Sequence, residues 1–370
     1  MKKSLLALAV LAASGAAMAQ SSVTLYGVAD TGVTYTSGKE DVYGLTATGG
    51  NTNSRLGFRG VEDLGGGLKA SFQLEAGINI DDGTGYLGKP DAETKKAGTG
   101  IEFRRISKIG LEGGFGSVTL GRDLTASYMA VSRYDVFGDT GIGASLAWKN
   151  GYDARTQNAI SYYTPTISGF RAGINYGFGE QVEARDSRYV GVGLAYDNGP
   201  ISVGFGYDRQ NNVAPTAAAA LFITKTAQDL STWQLGGSYN FGVAKAAALY
   251  KETEYKDIPG SDAPTAKFKT FGLGVTAPVG AGEVRASYNH HRLTGRGDTL
   301  KADQFSLGYV HNLSKRTALY GTYAYIKNKE NNGYNMTMGL NGAMTGGVAD
   351  NNVKDNGSQH GFQVGVRHAF

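Results

Sequence analysis

The chain has 370 residues, with 36 lysines and arginines against 32 aspartates and glutamates, a net charge of +4. This near-neutral balance gives no reason to expect a nucleic-acid partner, and the absence of cysteine excludes disulfides and a cysteine nucleophile. Glycine (56), tyrosine (22) and phenylalanine (15) are abundant and proline (7) is rare, a composition that suits a large set of β-strands.

The start of the chain, MKKSLLALAVLAASGAAMA, has the pattern of a secretory signal peptide. Lys2 and Lys3 precede an apolar segment, and a small-residue cleavage site ends at Ala19. A membrane-spanning helix is the alternative, but about ten apolar residues are too few for the ~20 that a span needs. We therefore expect residues 1–19 to be removed during export. The mature domain, residues 20–370, then has 34 basic and 32 acidic residues.

Alternation of apolar and polar residues predicts β-strands along the mature chain. In Gly67–Gly77 (GLKASFQLEAG) every second residue is apolar and those between are polar, a period that a helix with its repeat of 3.6 cannot use. The same pattern occurs in Val23–Val33, Phe268–Ala277, Ala302–His311 and Gln359–Phe370.

The connections between the predicted strands alternate between short and long. Short turns lie at Asp63–Gly66, Gly113–Phe115, Thr166–Ser168, Asn198–Pro200, Phe241–Val243, Pro278–Gly282 and Asn312–Lys315. Long polar connections lie at Ser37–Asn53, Asp81–Gly100, Asp123–Thr156, Gly179–Arg185, Asn211–Asp229, Lys256–Lys267, Thr294–Lys301 and Asn328–Gly357. This gives about sixteen strands, and an even number is typical of bacterial outer-membrane barrels, which have short periplasmic turns and long external loops.

The pattern therefore predicts an all-β fold, a 16-stranded antiparallel transmembrane β-barrel. A soluble sandwich or propeller could supply alternating strands, but it would not be expected to alternate short and long connections throughout. Strands can cross a membrane only as a closed barrel, because every backbone polar group must be paired in lipid. At about sixteen strands the interior is too wide for side chains to fill, which leaves an aqueous channel.

One connection differs from the others in composition. The stretch Thr119–Trp148 follows a short alternating strand, Gly116–Gly121, and about thirty residues pass before strand pattern resumes near Gln157. Loops of this length are normally functional or disordered. It is too apolar for disorder, yet it carries Asp123, Arg133, Asp135 and Asp139. We expect this loop to fold inward and narrow the barrel.

Several segments in this order resemble the general diffusion porins of Gram-negative outer membranes, of the β-proteobacterial and neisserial type. They are Val23–Asp30, Ser54–Glu75, Ile109–Arg122, Asn158–Phe170 and Gly365–Phe370. The resemblance covers essentially the whole mature chain. It implies a homotrimer whose third extracellular loop folds into the channel, for passive diffusion of small hydrophilic solutes and ions without a cofactor or metal. Phe370 resembles the signal read by the outer-membrane assembly machinery, and it would also suit an interfacial aromatic girdle.

Arginines at particular wall positions line the constriction in some members of this family and attract anions. Arg55 begins strand 2 on the parity opposite to the lipid-facing Leu56, and Arg155 enters strand 6 on the parity opposite to Ile160, so both are predicted to face the lumen. Before strand 4, alternation favours Arg104 and the family spacing favours Arg105. We select Arg105, because a bulge can shift the alternation.

A basic wall (Arg55, Arg105 and Arg155) opposite an acidic loop with Asp135 and Asp139 would create a transverse field and a mild anion preference. Arg133 would tie the loop to the wall. Alternatively, Arg55 and Arg155 are ordinary solvated lumen residues, paired with Glu75 or Asp30.

Other functions have less support in the sequence. No nucleophile elbow, zinc-protease or phosphate-loop motif occurs, so we do not expect an enzyme. The long connection Asn328–Gly357 could serve adhesion or receptor binding. A substrate-specific channel is a further alternative, although no sugar or nucleoside signature is present. Outer-membrane lipid and lipopolysaccharide are expected around the barrel.

Overall fold

The computed structural model describes residues 22–86, 100–148, 154–179, 188–213, 227–256, 265–295, 298–329, 336–338, 344–346 and 357–370. The predicted signal peptide, residues 1–19, lies outside these ranges, as does most of the connection 328–357.

Sixteen antiparallel strands form one closed sheet. They are β1 (Ser22–Thr36), β2 (Arg55–Gly65), β3 (Leu68–Ile78), β4 (Ile106–Gly113), β5 (Gly116–Leu124), β6 (Arg155–Tyr163), β7 (Phe170–Gly177), β8 (Tyr189–Asn198), β9 (Ile201–Val213), β10 (Ala227–Asn240), β11 (Lys245–Lys256), β12 (Ala266–Val279), β13 (Gly282–Gly295), β14 (Asp298–Asn312), β15 (Thr317–Lys329) and β16 (Ser358–Ala369). Each strand pairs with its neighbours in sequence, and β1 also pairs with β16, from Val28↔Ala369 to Thr36↔Gly361. The predicted barrel and its strand number are confirmed.

The two faces of each strand follow the alternation of the sequence. On β1, Val23, Leu25 and Val33 are more than half exposed, whereas Asp30 between them is fully buried. Exposed apolar residues also alternate along β4, at Ile109 and Leu111, and along β14, at Phe305 and Leu307. These outward residues suit hydrocarbon, and ring closure pairs the sheet edges that lipid would not tolerate. All seven predicted short turns occur between consecutive strands.

A bulge interrupts the alternation where β5 meets β6. Gly121 pairs with Ala159 and Asp123 with Thr156, so two residues of β6, Gln157 and Asn158, lie opposite one residue of β5. Asn158, one of the two residues in the bulge, has a left-handed backbone conformation with a φ of 50°. Parity counted back from Ile160 therefore does not fix the direction of Arg155, and that step of the prediction was wrong.

The segment after β5 has local helical structure. Helix α1 (Ala126–Val131) is capped by Thr125, whose side chain accepts a hydrogen bond from the Tyr128 amide. Two 3₁₀ turns follow at Ser132–Tyr134 and Leu146–Trp148. Among the described residues, no helix is long and apolar enough to cross a membrane. Short strands lie at Val42–Leu45, Gly85–Tyr86, Met336–Met338 and Met344–Gly346.

Buried apolar side chains lie between this segment and the inner wall. One cluster joins Val131, Tyr134 and Trp148 to Ala247 and Leu249 of β11. A second joins the later part of the segment to the inner faces of β10–β15 and consists of Ile142, Leu146, Leu230, Tyr255, Ala266, Phe268, Leu293, Leu300, Ala302, Ala324, Ile326, Met336 and Met338. Part of the barrel interior is therefore filled by apolar packing, and the open lumen is confined to the remainder.

Candidate functional site in the barrel lumen

The segment from Thr125 to Trp148, called the inner segment below, is fixed to the wall at its start. The Gln234 amide of β10 donates to the Ser127 hydroxyl at 2.7 Å, and the Tyr134 and Ser202 hydroxyls lie 2.8 Å apart. Glycines let α1 approach closely: a methyl group on Gly204 would lie 2.0 Å from the Ala130 carbonyl oxygen. These contacts are on the inward face, because the neighbouring residues Val203 and Leu235 are exposed on the other.

The inner segment then continues along the wall to the first extracellular connection. The Gln304 amide of β14 donates to the Ala144 carbonyl at 3.0 Å. Thr140 donates to the Gly49 carbonyl at 2.9 Å, and Asn53 donates to Asp139 Oδ1 at 3.0 Å. The segment therefore has anchors on β9, β10 and β14 and on the connection between β1 and β2.

Glu75 of β3 is the centre of a cluster of basic side chains. Arg105 Nε donates to Glu75 Oε1 at 2.6 Å, and Arg55 Nε lies 3.7 Å from Oε2. Tyr26 donates its hydroxyl proton to Oε2 at 2.9 Å. The Arg105 side chain is 8% exposed and that of Arg55 is 27% exposed. One carboxylate thus holds two guanidinium groups on the inner wall.

The third predicted arginine joins the same cluster through the backbone. Arg155 Nε donates to the Arg105 carbonyl at 2.8 Å, so Arg55, Arg105 and Arg155 lie together. Arg104 differs, since its Nε is 4.0 Å from Glu102 and its carbonyl accepts from Arg122. Arg105 lies beside the inward-facing Glu75, and its choice over Arg104 as the constriction residue stays a prediction. The 3.7 Å ion pair between Arg55 and Glu75 is of the kind that the alternative of ordinary, paired lumen residues predicts.

Asp139 links the inner segment to this basic cluster. Tyr128 donates its hydroxyl proton to Asp139 Oδ2 at 2.9 Å. Burial and then the Asp139 carboxylate raise the pKa of Tyr128, and the charge of Arg155 acts in the opposite direction. Tyr128 therefore stays a neutral donor, with the Asp139 carboxylate and the Arg155 guanidinium both acting on its hydroxyl. No motif or charge pattern in the sequence identifies Tyr128 as a site residue.

Asp135 does not face the lumen, and this part of the prediction was wrong. Its carboxylate accepts from Trp148 Nε1 at 2.8 Å, from the Phe137 amide at 3.0 Å and from the Ser145 amide at 3.2 Å. Burial raises its pKa to about 6, although the three donors favour the ionised form. Asp135 organises the fold of the inner segment, because it joins the two ends of a turn. A sequence pattern of acids cannot distinguish this role from a pore-facing one.

Asp123 and Arg133 also have specific partners. Asp123 lies in wall strand β5, where it accepts from Lys108 Nζ of β4 at 2.6 Å; its assignment to the loop was wrong because the strand extends to Leu124. Lys108 was missed, although it has the parity opposite to the lipid-facing Ile109. Arg133 Nη1 donates to Asp197 of β8 at 2.9 Å, an ion pair that ties the inner segment to the wall.

The last residue closes the barrel. The amide and carbonyl of Phe370 pair with those of Gly27, both at 3.1 Å. Its ring packs over the outward face of Gly27 and is 48% exposed, a position suited to an aromatic at the membrane interface. In the described part of the chain, no group of three or more His, Cys, Asp or Glu side chains is placed to hold a metal ion.

Sequence comparisons agree with this architecture. The family model described as Gram-negative porin matches residues 5–332. The chain is 46% identical to outer membrane porin protein 32 of Delftia acidovorans over 386 aligned positions that cover all of both proteins. It is 33% identical to the major outer membrane protein P.IB of Neisseria meningitidis serogroup A over 232 residues, 58% of this chain and 61% of that protein.

Solved structures show the same fold. The anion-selective porin from Comamonas acidovorans has a TM-score of 0.78 at 41% identity, covering 95% of this chain and 100% of that one. The trimer form of OmpT from Vibrio cholerae has a TM-score of 0.67 over 95% and 99% of the two chains, and its 17% identity makes this a likeness of fold alone. The chain therefore belongs to the Gram-negative porin family and forms a water-filled channel in the outer membrane.

Proposed function

We propose that this porin is a passive diffusion channel with a mild preference for anions, and that Arg55, Arg105 and Arg155 form the basic side of its constriction. The observation that carries the proposal is the cluster itself. Three arginines lie together on the inner wall, with Glu75 between Arg55 and Arg105, while Asp139 and Arg155 both act on the Tyr128 hydroxyl. Positive charge therefore exceeds negative charge in the cluster.

The exposed part of the cluster decides which ions it attracts. Arg105 is buried against Glu75, so the lumen meets mainly the partly exposed Arg55 and Arg155. A ring of like charges raises the local concentration of counter-ions in a narrow aqueous passage, whereas salt screens it strongly where the passage is wide. Chloride and small organic anions should thus be enriched over potassium. The likeness to a porin named as anion-selective supports the same sign.

The inner segment supplies the other side of the constriction in this proposal. Its apolar face packs on β11 and its tip is hydrogen-bonded to the first extracellular connection. Asp139, and not Asp135, is the acidic residue near the basic wall. The field across the passage is then set by the arginines on one side and by Asp139 on the other. Small polar solutes would pass, whereas large apolar ones would be disfavoured.

We propose a homotrimer as the assembly, because relatives with this fold include a trimeric structure. Export by the signal peptide of residues 1–19 and recognition of the strand that ends at Phe370 by the assembly machinery complete the proposal. Outer-membrane lipid and lipopolysaccharide would surround the outward apolar face. No cofactor is required for passive diffusion.

Reversal of the two partly exposed charges tests the constriction. In the double variant Arg55→Glu/Arg155→Glu, the zero-current potential of reconstituted channels in a KCl gradient should move toward the potassium side. The matched control is Arg292→Glu/Lys301→Glu, which makes the same change in charge on the outward face of β13 and β14 and should leave the potential unchanged. An unchanged potential in the inward variant would remove these arginines from the constriction.

A further inference from the structure

The edge of β1 that faces β2 is interrupted near its extracellular end. The short strand Val42–Leu45 and β2 both pair with this edge, and residues 46–54 between them leave the sheet. Thr46 and Ser54, at the two ends of this stretch, are fully buried, whereas Leu45 just before it is 53% exposed on the outward face. Residues 46–54 therefore lie on the lumen side of the wall, and we call them the inward loop.

The Asp30 carboxylate of β1 holds the inward loop. This side chain is fully buried, and its Oδ1 accepts from the Gly50 amide at 2.9 Å and from the Tyr320 hydroxyl of β15 at 2.7 Å. Its Oδ2 accepts from the amides of Asn51 and Thr52 at 3.2 Å and 2.8 Å. Hydrogen bonds from consecutive backbone amides to a carboxylate are strong and fix the direction of the chain. Asp30 thus fixes the conformation of the loop from inside the wall.

Neutral contacts continue this attachment along the inner face. The hydroxyls of Thr34 and Thr46 lie 2.9 Å apart, and the Gln363 amide of β16 donates to the Thr34 hydroxyl at 2.9 Å. A methyl group on Gly50 would collide with the Tyr320 hydroxyl, so the loop backbone lies directly on the wall. The inward loop therefore packs on the inner faces of β1, β15 and β16.

Asn53 of the inward loop lies between the two sides of the proposed constriction. Its carbonyl accepts from Arg55 Nη1 at 3.4 Å, and its side-chain amide donates to Asp139 Oδ1 at 3.0 Å. Asn51 accepts from Arg367 Nη1 of β16 at 3.1 Å. Asn51 and Asn53 are partly exposed although they lie inside the barrel, so they meet the water of the passage. The loop thus contacts both the basic wall and the acid of the inner segment.

We propose that the inward loop forms a third side of the constriction and that Asp30 is the positioning residue that keeps it there. This inference rests on the proposed anion-favouring passage and extends it. With the loop in place the passage is narrow, and the charges of its walls act on ions at short range. Without the loop the passage is wider and salt screens those charges. Asp30 therefore controls selectivity although it is buried and meets no solute itself.

The first test replaces the Asp30 carboxylate by an amide. In Asp30→Asn one oxygen becomes an NH₂ donor that must face other donors, so the inward loop should leave the wall. Single-channel conductance should then rise, and the zero-current potential in a KCl gradient should move toward zero. Loss of the negative charge with the loop still in place would instead move the potential further toward the chloride side. The two explanations therefore predict shifts of opposite sign.

Asp208→Asn is the matched control for this substitution. Asp208 is also buried on the inner face, and β9 lies on the side of the barrel opposite to β1. The control should not raise the conductance or move the potential toward zero. An equal effect in the control would overturn the positioning role of Asp30. Lower stability of Asp30→Asn with the conductance and potential of the wild type would overturn it as well.

The second test leaves Asp30 intact and labels the inward loop. The chain has no cysteine, so Asn51→Cys introduces a single thiol, and Lys39→Cys places one in the exposed turn before Val42–Leu45 as the control. The probes are a sulfonatoethyl and a trimethylammonioethyl methanethiosulfonate, which carry opposite charges. Each forms a mixed disulfide with the thiol and releases methanesulfinate. Channels are recorded before and after the reaction, and mass spectrometry measures the extent of labelling.

Both labels on the Asn51→Cys variant should lower the conductance. The negative label should move the zero-current potential toward the potassium side and the positive label toward the chloride side, whereas the labelled Lys39→Cys control should keep its conductance and potential. A loop thiol that does not react, or a labelled loop with unchanged current, would overturn the proposal. A wild-type potential on the potassium side would contradict the anion preference alone, because the effects of the labels do not depend on its sign.

Discussion

At the scale of single residues, the ion pair between Glu75 and Arg105 should affect both the stability of the barrel and the ion selectivity of the channel. Glu75 accepts from Arg105 at 2.6 Å with both side chains less than 10% exposed, and removal of one partner of a buried pair is strongly destabilising. The same carboxylate reduces the positive charge that the lumen meets.

We predict that Glu75→Gln lowers the free energy of unfolding by about 3–5 kcal/mol and moves the zero-current potential further toward the chloride side. Denaturant unfolding and bilayer recording measure the two effects. Glu112→Gln is the control, because it removes an exposed acid that accepts only from Ser71 in the described contacts. A variant as stable as the wild type would show that the pair is not structurally important.

Asp135 makes the stability of the inner segment depend on pH. Its pKa is raised from 3.8 to about 6 by burial, so the folded state binds the proton more tightly than the unfolded state does. The resulting stabilisation is complete below about pH 4 and is lost as the pH rises through about 6.

We therefore predict that the wild type loses stability relative to Asp135→Asn between pH 4 and pH 7, by an amount on the order of 3 kcal/mol. Unfolding midpoints of both proteins at the two pH values measure this difference. A difference that grows in favour of the wild type toward pH 7 would mean that the three hydrogen-bond donors outweigh burial.

At the scale of elements, the position of the inner segment should control the width of the channel. Deletion of Ser132–Gly143 removes the anchors at Tyr134 and Thr140 and the apolar side chains between them. Single-channel conductance should rise, because more of the lumen is then open to water. An equal or lower conductance in folded protein would show that the segment does not restrict the passage.

A smaller change tests the contact between α1 and β9. A methyl group on Gly204 would lie 2.0 Å from the Ala130 carbonyl, so Gly204→Ala must displace the helix or the strand. We expect a loss of about 1–3 kcal/mol in unfolding free energy and a changed conductance. Gly237→Ala is the control, since its nearest contact would be 3.4 Å away on the outward face. Equal effects of the two substitutions would refute close packing of α1 at Gly204.

At the scale of the whole molecule, the barrel could be predicted from the sequence because its physical rule is local. Each strand must present apolar residues to lipid, so period-two patterns such as that of Gly67–Gly77 reveal both the strand and its faces. The short turns and the even strand number follow from the same patterns. Lys108 could have been found in this way, from its parity relative to Ile109.

Features that depend on contacts between distant segments could not be predicted in the same way. The bulge at Asn158 changes the parity of Arg155 relative to Ile160, and no local sequence pattern indicates this bulge. Asp135 and Asp139 are similar acids four residues apart, yet one is enclosed by Trp148 and the other lies beside Asn53. The apolar residues on the inner faces of β10–β15 are explained by the packing of the inner segment on them, which no strand pattern predicts.

A single bilayer recording tests directly whether the basic wall of this porin channel favours anions. Purified protein in a planar bilayer should open in steps of three, and under a tenfold KCl gradient its zero-current potential should lie on the chloride side. A potential on the potassium side would contradict the role of Arg55, Arg105 and Arg155 and would assign the passage to acids such as Asp139.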